Sequence, residues 1–342
     1  MKVFVPTSIF LLLTACGPKE LSNRYNQASL TADSSHKHNG NTSDMNDSVD
    51  QSSPVSSISQ PETPGETPKK TPIEAEKPSN YAATGPYRTK IHIGVGPSQG
   101  FTVFSPESEE RKKFPVISWG KATYSFPTAY ESIIKHIVSH GFIIVASRSS
   151  QTGSGTPILE GIDFILRENE NSNSPYYERV NRDQIAVMGH SQGGGGALTA
   201  AGKDYRISTV VAIQPDCQFT ARCVGIENSR APTLIISSAL DVLVPPLLVE
   251  QKVANILKTE YAFGIHRSAN HMEPTEMGRG HFNEIITAWL NTHLVNFDLN
   301  KELFYGKNCG FCERNDFLMS RSAGLSKDLK DDSNTIGFRG GN

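Results

Sequence analysis

The amino-acid sequence predicts an α/β fold in which a mostly parallel central sheet carries helices on both faces. Short apolar runs of strand length alternate along the chain with segments whose apolar residues have helical spacing. Apolar runs bounded by polar residues are typical of parallel strands that are buried on both faces. This alternation favours a parallel sheet, and no internal repeat is visible in the sequence.

The first half of the folded region opens with two strands joined by a Gly-Pro-Ser turn, after which strand and helix alternate. The helices are predicted from apolar side chains at helical spacing, and Gly141 ends the first of them. Strands are predicted at residues 87–95, 100–105, 114–118 and 142–146, and helices over residues 127–140 and 158–166.

The second half of the folded region continues the same alternation to the end of the domain. Buried strands are predicted at residues 185–188, 209–213, 233–238 and 261–265, and helices at residues 197–201, 247–258 and 282–294. The helix over residues 247–258 has Val249, Val253, Ile256 and Leu257 on one face. In the closing helix we interpret His293 as a solvent-facing edge residue and not as a ligand.

The most informative motif lies between the strand at residues 185–188 and the helix behind it. Gly189-His190-Ser191-Gln192-Gly193 has the G-x-S-x-G pattern, and strand, sharp turn and helix are the context that a nucleophile elbow requires. Such a turn is strained, so that only glycine fits two residues before and after the serine. We therefore predict that Ser191 is the nucleophile of a serine hydrolase. The alternative is a glycine-rich turn with an idle serine.

A serine nucleophile needs a base to take its proton and an acid to orient that base. In this kind of fold the chain order is serine, acid, histidine, and Asp241 and His271 lie in loops after two later strands. We predict these two residues as the acid and the base. Asp216 is an alternative acid, and His266 and His281 are alternative bases, whereas His190 is interpreted as structural.

Backbone N–H groups at the start of the elbow helix can hold a developing oxyanion. We predict the N–H group of Gln192 as one donor. The second donor should come from the loop after the strand at residues 114–118, where Lys121 N–H is our choice and Gly120 N–H the alternative.

Composition bounds the rest of the chain of 342 residues, which is long enough for one large domain plus tails. The net charge of −2 argues against nucleic acid as a partner. Residues 17–80 have almost no core-forming side chains, so we expect a disordered Ser/Thr/Pro-rich tether. The hydrolase domain is predicted over residues 81–319, and residues 320–342 are expected to form a disordered tail.

Residues 1–16 have the character of an export signal, with Lys2 before an apolar run that is too short for a permanent membrane helix. The signal ends in Leu-Thr-Ala-Cys, which resembles the bacterial lipoprotein box. That resemblance implies that Cys16 is lipidated and anchors the protein, and Gly17 favours the outer membrane. An ordinary secretory signal with a coincidental cysteine is the alternative.

Export permits disulfides, and four cysteines remain after Cys16. Three pairings are possible. We favour Cys217–Cys223 and Cys309–Cys312 because each closes a short loop.

From about residue 86 to residue 317 the chain resembles the bacterial cutinase and polyester-hydrolase branch of the α/β-hydrolases, which is also similar to chlorophyllases. The matching segments hold the elbow, Asp241, Ala269-Asn270-His271 and Ala288-Trp289-Leu290. The resemblance implies hydrolysis of small or polymeric carboxylic esters through an acyl-enzyme, with no metal or organic cofactor. We expect a monomer.

Departures from that family affect the expected substrate cleft. Gln192 stands where the family usually has methionine. Lys121 and Asp216 stand where it usually has aromatic cleft residues, and Trp119 is predicted to line the same cleft. We therefore expect short or medium aliphatic esters as substrates. A peptidase of the prolyl-oligopeptidase type and a non-catalytic surface binding protein are the rival functions.

Overall fold

The structure is a computed structural model that describes residues 80–218 and 223–326. The predicted signal, Cys16 and all but the last residue of the predicted tether lie outside the described residues, as do residues 327–342. In the described ranges no helix has both the length and the apolar character needed to cross a membrane.

The described residues form one nine-stranded sheet with helices on both faces. The strands are β1 Thr89–Val95, β2 Phe101–Pro106, β3 Phe114–Gly120, β4 Ile143–Ser147, β5 Val180–His190, β6 Thr209–Ile213, β7 Thr233–Ser238, β8 Tyr261–His266 and β9 Phe317–Arg321. The α-helices are α1 Glu131–Ser139, α2 Thr156–Glu170, α3 Gln192–Ala201, α4 Pro246–Val249, α5 Asn283–Leu294, α6 Phe297–Asn300 and α7 Ala323–Ser326.

The order of the strands across the sheet is β1-β2-β4-β3-β5-β6-β7-β8-β9. The six central strands, β4, β3, β5, β6, β7 and β8, are parallel to one another. At one side β2 pairs antiparallel with β4 and β1 with β2, and at the other side β9 pairs antiparallel with β8. The predicted fold class is therefore confirmed. Because the carboxyl ends of parallel strands meet at one edge, the loops after β3 to β8 share the edge where sites form in such sheets.

Two apolar layers fill the space between the sheet and its helices. One packs α1 and α5 against the sheet around Trp119, Tyr130 and Trp289, all of which are fully buried. The other packs α2 and α3 around residues such as Ile162 and Leu198. Alternate side chains of the central strands enter opposite layers, which explains why these strands are apolar throughout.

The glycine run at the start of α3 lets that helix lie directly on the sheet. A Cβ at Gly193 would lie 2.0 Å from Gly120 O, and one at Gly196 would lie 2.0 Å from Thr152 O. No side chain fits at these distances. The close helix approach that the sequence predicted is confirmed.

The region after Asp241 departs from its predicted structure. In place of one helix over residues 247–258, α4 covers four residues and a π-helical turn, Glu250–Ala254, follows it. The wider π turn changes the spacing of side chains around the axis. As a result Val249 and Val253 are buried, but Ile256 is 41% exposed.

The C-terminal part of the described chain extends past the predicted domain boundary at residue 319. Strand β9 ends at Arg321 and pairs with β8, and Leu325 in α7 is fully buried in the core. The expectation of a tail beginning at residue 320 is therefore wrong for residues 320–325.

The interpretation of His293 as a solvent-facing edge residue is only partly right, since the residue is half-buried. Its ring lies 4.1 Å from the ring of Trp289, centroid to centroid, and its Nε2 atom is buried. Burial disfavours the charged imidazolium and lowers the pKa of His293 to about 3.

Both predicted disulfides are present. Cys217 is bonded to Cys223, and Cys309 to Cys312. The first bridge closes the segment that follows β6, and the second closes a turn before β9. The favoured pairing is confirmed.

Candidate active site

Ser191 stands in a strained turn between β5 and α3. Its φ of 54° and ψ of −118° lie outside the regions that non-glycine residues usually adopt, and such strain is concentrated at functional sites. The surrounding backbone fixes the turn, because Ser191 N–H donates to Ile213 O over 2.9 Å and Asp216 N–H donates to Ser191 O over 3.0 Å. The turn has the conformation predicted for a nucleophile elbow.

Glycine is required on both sides of the serine. A Cβ at Gly189 would lie 2.3 Å from Gly193 O. On the other side of the serine, a Cβ at Gly193 would clash with Gly120 O at the end of β3. The two outer glycines of the pentad therefore let β3, β5 and α3 meet at this point.

Asp241 and His271 form a hydrogen-bonded pair at the same edge of the sheet. His271 Nδ1 lies 2.8 Å from Asp241 Oδ2 and donates to it, since the carboxylate can only accept. Asp241 Oδ1 accepts from the N–H groups of Leu243 and Val244 over 2.9 and 2.8 Å. These bonds hold the buried carboxylate, and the pair leaves His271 Nε2 as the proton acceptor.

Contacts through Gln214 and His190 place the His271 loop beside the elbow. Gln214 Nε2 donates to Asn270 O and to Ser238 Oγ, both over 2.7 Å, which joins the ends of β6 and β7 to this loop. The rings of His190 and His271 lie 4.7 Å apart, centroid to centroid.

The Ser191 hydroxyl makes no hydrogen bond to any described residue. Catalytic hydrogen bonds are often formed only once substrate is bound.

His190 has a structural role here, as the sequence predicted. Its Nδ1 lies 3.0 Å from the hydroxyl of Tyr130, which also accepts from Ala122 N–H over 3.1 Å. Burial lowers the pKa of His190 well below its usual value, and the neighbouring His271 adds to this shift. His190 is therefore neutral at neutral pH and links the elbow to the loop after β3.

The alternative acid and bases have other contacts. Asp216 Oδ1 accepts from Gln218 N–H over 3.1 Å. The rings of His266 and His281 are stacked 4.3 Å apart, and His281 Nδ1 lies 3.2 Å from Glu273 Oε2. Among the described residues, His271 is the histidine that Asp241 contacts. The described part of the chain shows no group of three or more His, Cys, Asp or Glu side chains that could hold a metal ion.

The two predicted oxyanion donors lie on adjoining segments. A Cβ at Gly193 would lie 2.8 Å from Lys121 N, so the loop after β3 rests against the first turn of α3, where Gln192 N–H is located. N–H groups at a helix start carry partial positive charge. The Lys121 N–H group and the first turn of α3, with the Gln192 N–H group, are therefore close to each other.

The predicted cleft residues have different outcomes. Trp119 is wrong as a cleft residue, because the alternation of side chains along β3 turns it into the core, where it is fully buried against Tyr130. Lys121 is 3% exposed and Asp216 is 8% exposed. The two side chains do not form a salt bridge with each other, and burial lowers the pKa of Lys121.

Sequence reasoning missed an apolar rim in the loops that follow β3, β7 and β8. Exposed large apolar side chains of these loops are Tyr124, Phe126, Leu240, Val242, Leu243 and Met277. They have no periodicity, since they belong to loops, and only their position after strands that carry site residues could have indicated them. Because these loops follow parallel strands that carry site residues, we expect the rim to lie at the same edge of the sheet as Ser191.

The chain matches a family model described as PET hydrolase-like over residues 60–314. This match covers more than half of the chain, which therefore belongs to the PET hydrolase-like family of α/β-hydrolases.

Several curated proteins are similar to this chain over about half of its length. Cutinase 2 of Thermobifida cellulosilytica is 25% identical over 187 residues, which are 52% of this chain and 68% of the cutinase. Cutinase cut1 of Thermobifida fusca is 25% identical over 187 residues, or 56% of its length. Chlorophyllase-1 of Citrus unshiu is 26% identical over 174 residues, which are 48% of this chain and 50% of the chlorophyllase. The chain thus spans between half and about two thirds of these relatives.

Proposed function

We propose that this protein hydrolyses carboxylic esters through an acyl-enzyme, with Ser191 as nucleophile, His271 as general base and Asp241 as the acid that orients it. The observation that carries the proposal is the Asp241–His271 hydrogen bond of 2.8 Å beside a strained serine turn. The family match and the similarity to cutinases support an esterase over the peptidase and the binding protein that the sequence left open.

The proposed reaction has two halves. Ser191 Oγ attacks the ester carbonyl carbon while His271 Nε2 takes the hydroxyl proton, and the carbonyl oxygen becomes an oxyanion between Gln192 N–H and Lys121 N–H. When the intermediate collapses, His271 gives the proton to the leaving alcohol. Water then attacks the acyl-enzyme by the same route and releases the carboxylic acid and free Ser191.

The proposal is tested by Ser191→Ala. Loss of the nucleophile should lower kcat for p-nitrophenyl butyrate by several orders of magnitude, because only binding and oxyanion stabilisation remain. Ser108→Ala, far along the chain in the loop before β3, is the matched control and should keep wild-type activity. A fluorophosphonate probe should label the wild type and the control but not Ser191→Ala. Labelling of the alanine variant would remove Ser191 from the proposed role.

For the substrate we propose short or medium aliphatic esters, small or polymeric. The apolar rim supports an apolar substrate, and the residues Lys121 and Asp216 offer no aromatic ring on which a substrate ring could stack. Turnover of aromatic polyester is therefore expected to be slow.

For location we propose export, lipidation of Cys16 and anchoring in the outer membrane, with residues 17–80 as a tether and the hydrolase as a monomer. The support is the signal-like composition of residues 1–16 and the cysteine that ends it. Two disulfides in the described residues are consistent with an oxidising compartment.

A further inference from the structure

The side chain of Gln192 joins two loops that flank the proposed oxyanion site. Its Oε1 accepts from Thr152 N–H over 2.8 Å, in the loop after β4. Its Nε2 donates to Thr123 Oγ1 over 2.9 Å, in the loop after β3. Gln192 is 2% exposed, so its carboxamide is held in a buried position and both of its ends are used.

Thr152 carries this connection on to Lys121. The Thr152 hydroxyl donates to Lys121 O over 2.8 Å, and Thr152 is fully buried. The backbone of Lys121 is therefore tied through Thr152 to the side chain of Gln192. Thr123, two residues further along, is tied to Gln192 directly. The residue that supplies one proposed oxyanion donor thus holds, through its side chain, the loop that supplies the other.

The loop after β3 needs such support because it is irregular. Residues 121–126 follow the last ladder pair of β3 and precede a 3₁₀ turn, Pro127–Tyr130, so no helix or sheet ladder fixes them. Loops without regular structure are more mobile than the elements they connect. Oxyanion donors act only within about 2.7–3.1 Å of the developing charge, and a misplacement of about 1 Å can cost 10²-fold in rate.

We propose that Gln192 is a positioning residue, whose carboxamide sets the place of the Lys121 N–H group relative to its own N–H group. This inference rests on the proposed ester hydrolysis and deepens it, since it assigns a role to a side chain outside the triad. The side chain does not touch the reacting atoms. It acts through Thr152 and Thr123 on the donor that does.

The first test is Gln192→Met, which conserves the length of the side chain and the backbone N–H group but removes both polar ends. We expect kcat for p-nitrophenyl butyrate, per active site titrated with a phosphonate, to fall at least about tenfold with KM changed by less than about twofold. Thr152→Val should act in the same direction and Thr152→Ser should restore the rate. Thr199→Val, which loses a buried hydrogen bond of 3.0 Å to Gly195 O inside the same helix, is the control and should keep kcat.

The second readout is the affinity of an alkyl boronic acid, which forms a tetrahedral adduct with the serine and places an oxygen between the two donors. In Gln192→Met its affinity should fall by the same factor as kcat/KM. A purely structural role would lower the fraction of titratable sites and leave the boronate affinity of the remaining sites unchanged. Should Gln192→Met fold poorly, Thr123→Val at the exposed end of the network replaces it.

The two levels of the proposal fail in different ways. An active wild type with kcat and boronate affinity unchanged in Gln192→Met and Thr152→Val would overturn the positioning role alone. A wild type that hydrolyses none of the p-nitrophenyl esters would overturn the proposed function, and the positioning role with it.

Discussion

At the scale of single residues, the structure bears most directly on which aspartate, Asp216 or Asp241, is the acid that orients His271. Asp216 and Asp241 both end strands in the sequence, but Asp241 contacts His271 and also accepts two backbone N–H groups. That arrangement fixes the carboxylate on the side of His271 Nδ1. An amide in its place would present a donor or turn its oxygen away, and the imidazole would take the wrong tautomer.

We therefore expect Asp241→Asn to lower kcat by about 10⁴ while Asp216→Asn keeps most of the esterase activity, measured on p-nitrophenyl butyrate. Thermal unfolding of both variants controls for loss of structure. If Asp241→Asn were nearly fully active and Asp216→Asn were not, the acid would be Asp216.

The identity of residue 216 also bears on the proposed substrate preference. Asp216 N–H contacts Ser191 O, so this residue lies directly beside the nucleophile. Replacing its carboxylate with a flat apolar ring should favour substrates that contain a ring.

We expect Asp216→Trp to raise kcat/KM for a terephthalate ester relative to p-nitrophenyl butyrate, with the wild type favouring the butyrate. The matched control is Asp216→Leu, which removes the charge without adding a ring. A wild type that already prefers the terephthalate ester, or an unmoved preference in Asp216→Trp, would contradict this view of the cleft.

Sequence reasoning reached the triad residues of the proposal because each follows a strand, and strand ends meet at one edge of a parallel sheet. It placed Trp119 wrongly because the end of β3 could not be located to within one residue, and one residue decides which way a strand side chain points. It could not reach the Gln192–Thr152–Thr123 network, since no local pattern marks contacts between the start of a helix and two separate loops. The apolar rim was missed because its residues lie in separate loops and follow no periodic pattern.

At the scale of helices and strands, apolar runs were sufficient for the parallel strands, and β6 and β7 have the predicted bounds. Strand β9 was missed because it is an edge strand with alternating exposure, and its sequence has no long apolar run. The region of α4 was misjudged because a π-helical turn breaks the periodicity on which the prediction depended.

Helix α5 offers a test of stability through His293. Its pKa of about 3 in the folded protein lies below the ordinary value of 6.5, because burial disfavours the charged ring. Between these two values the unfolded chain binds a proton that the folded chain does not. The stability contribution of this residue is therefore complete above pH 6.5 and falls as the pH decreases toward 3, by about 1.4 kcal/mol per pH unit.

His293→Phe keeps a ring beside Trp289 and removes the titration. We expect the free energy of unfolding of this variant, relative to the wild type, to rise as the pH is lowered from 7 to about 4.5, as measured by urea denaturation. His92→Phe at the partly exposed edge strand β1 is the comparison and should show a smaller change. A difference between His293→Phe and wild type that stays constant with pH would refute a buried neutral histidine.

At the scale of the whole molecule, the chain combines a folded hydrolase with an N-terminal region of a different composition. Core-forming side chains are nearly absent from residues 17–80, and this composition is what the proposed tether rests on. A serine-, threonine- and proline-rich stretch of this length would let a membrane-held enzyme reach substrates at some distance from its anchor. The anchor and the tether are therefore two parts of one proposal.

The anchor is tested by Cys16→Ser, expressed from the full-length gene with its own signal. The proposal expects the wild type in the membrane fraction and the variant in the soluble fraction, because serine cannot accept the lipid thioether. Brief proteolysis of wild-type membranes should then release an active hydrolase cut within residues 17–80, while the disulfide-closed domain stays whole. Cys312→Ser, which breaks the Cys309–Cys312 disulfide but leaves Cys16 in place, is the control and should leave fractionation unchanged. If Cys16→Ser sediments with membranes as the wild type does, the lipid anchor is wrong. Apolar contacts of the signal or of the apolar rim would then have to hold the protein at the membrane.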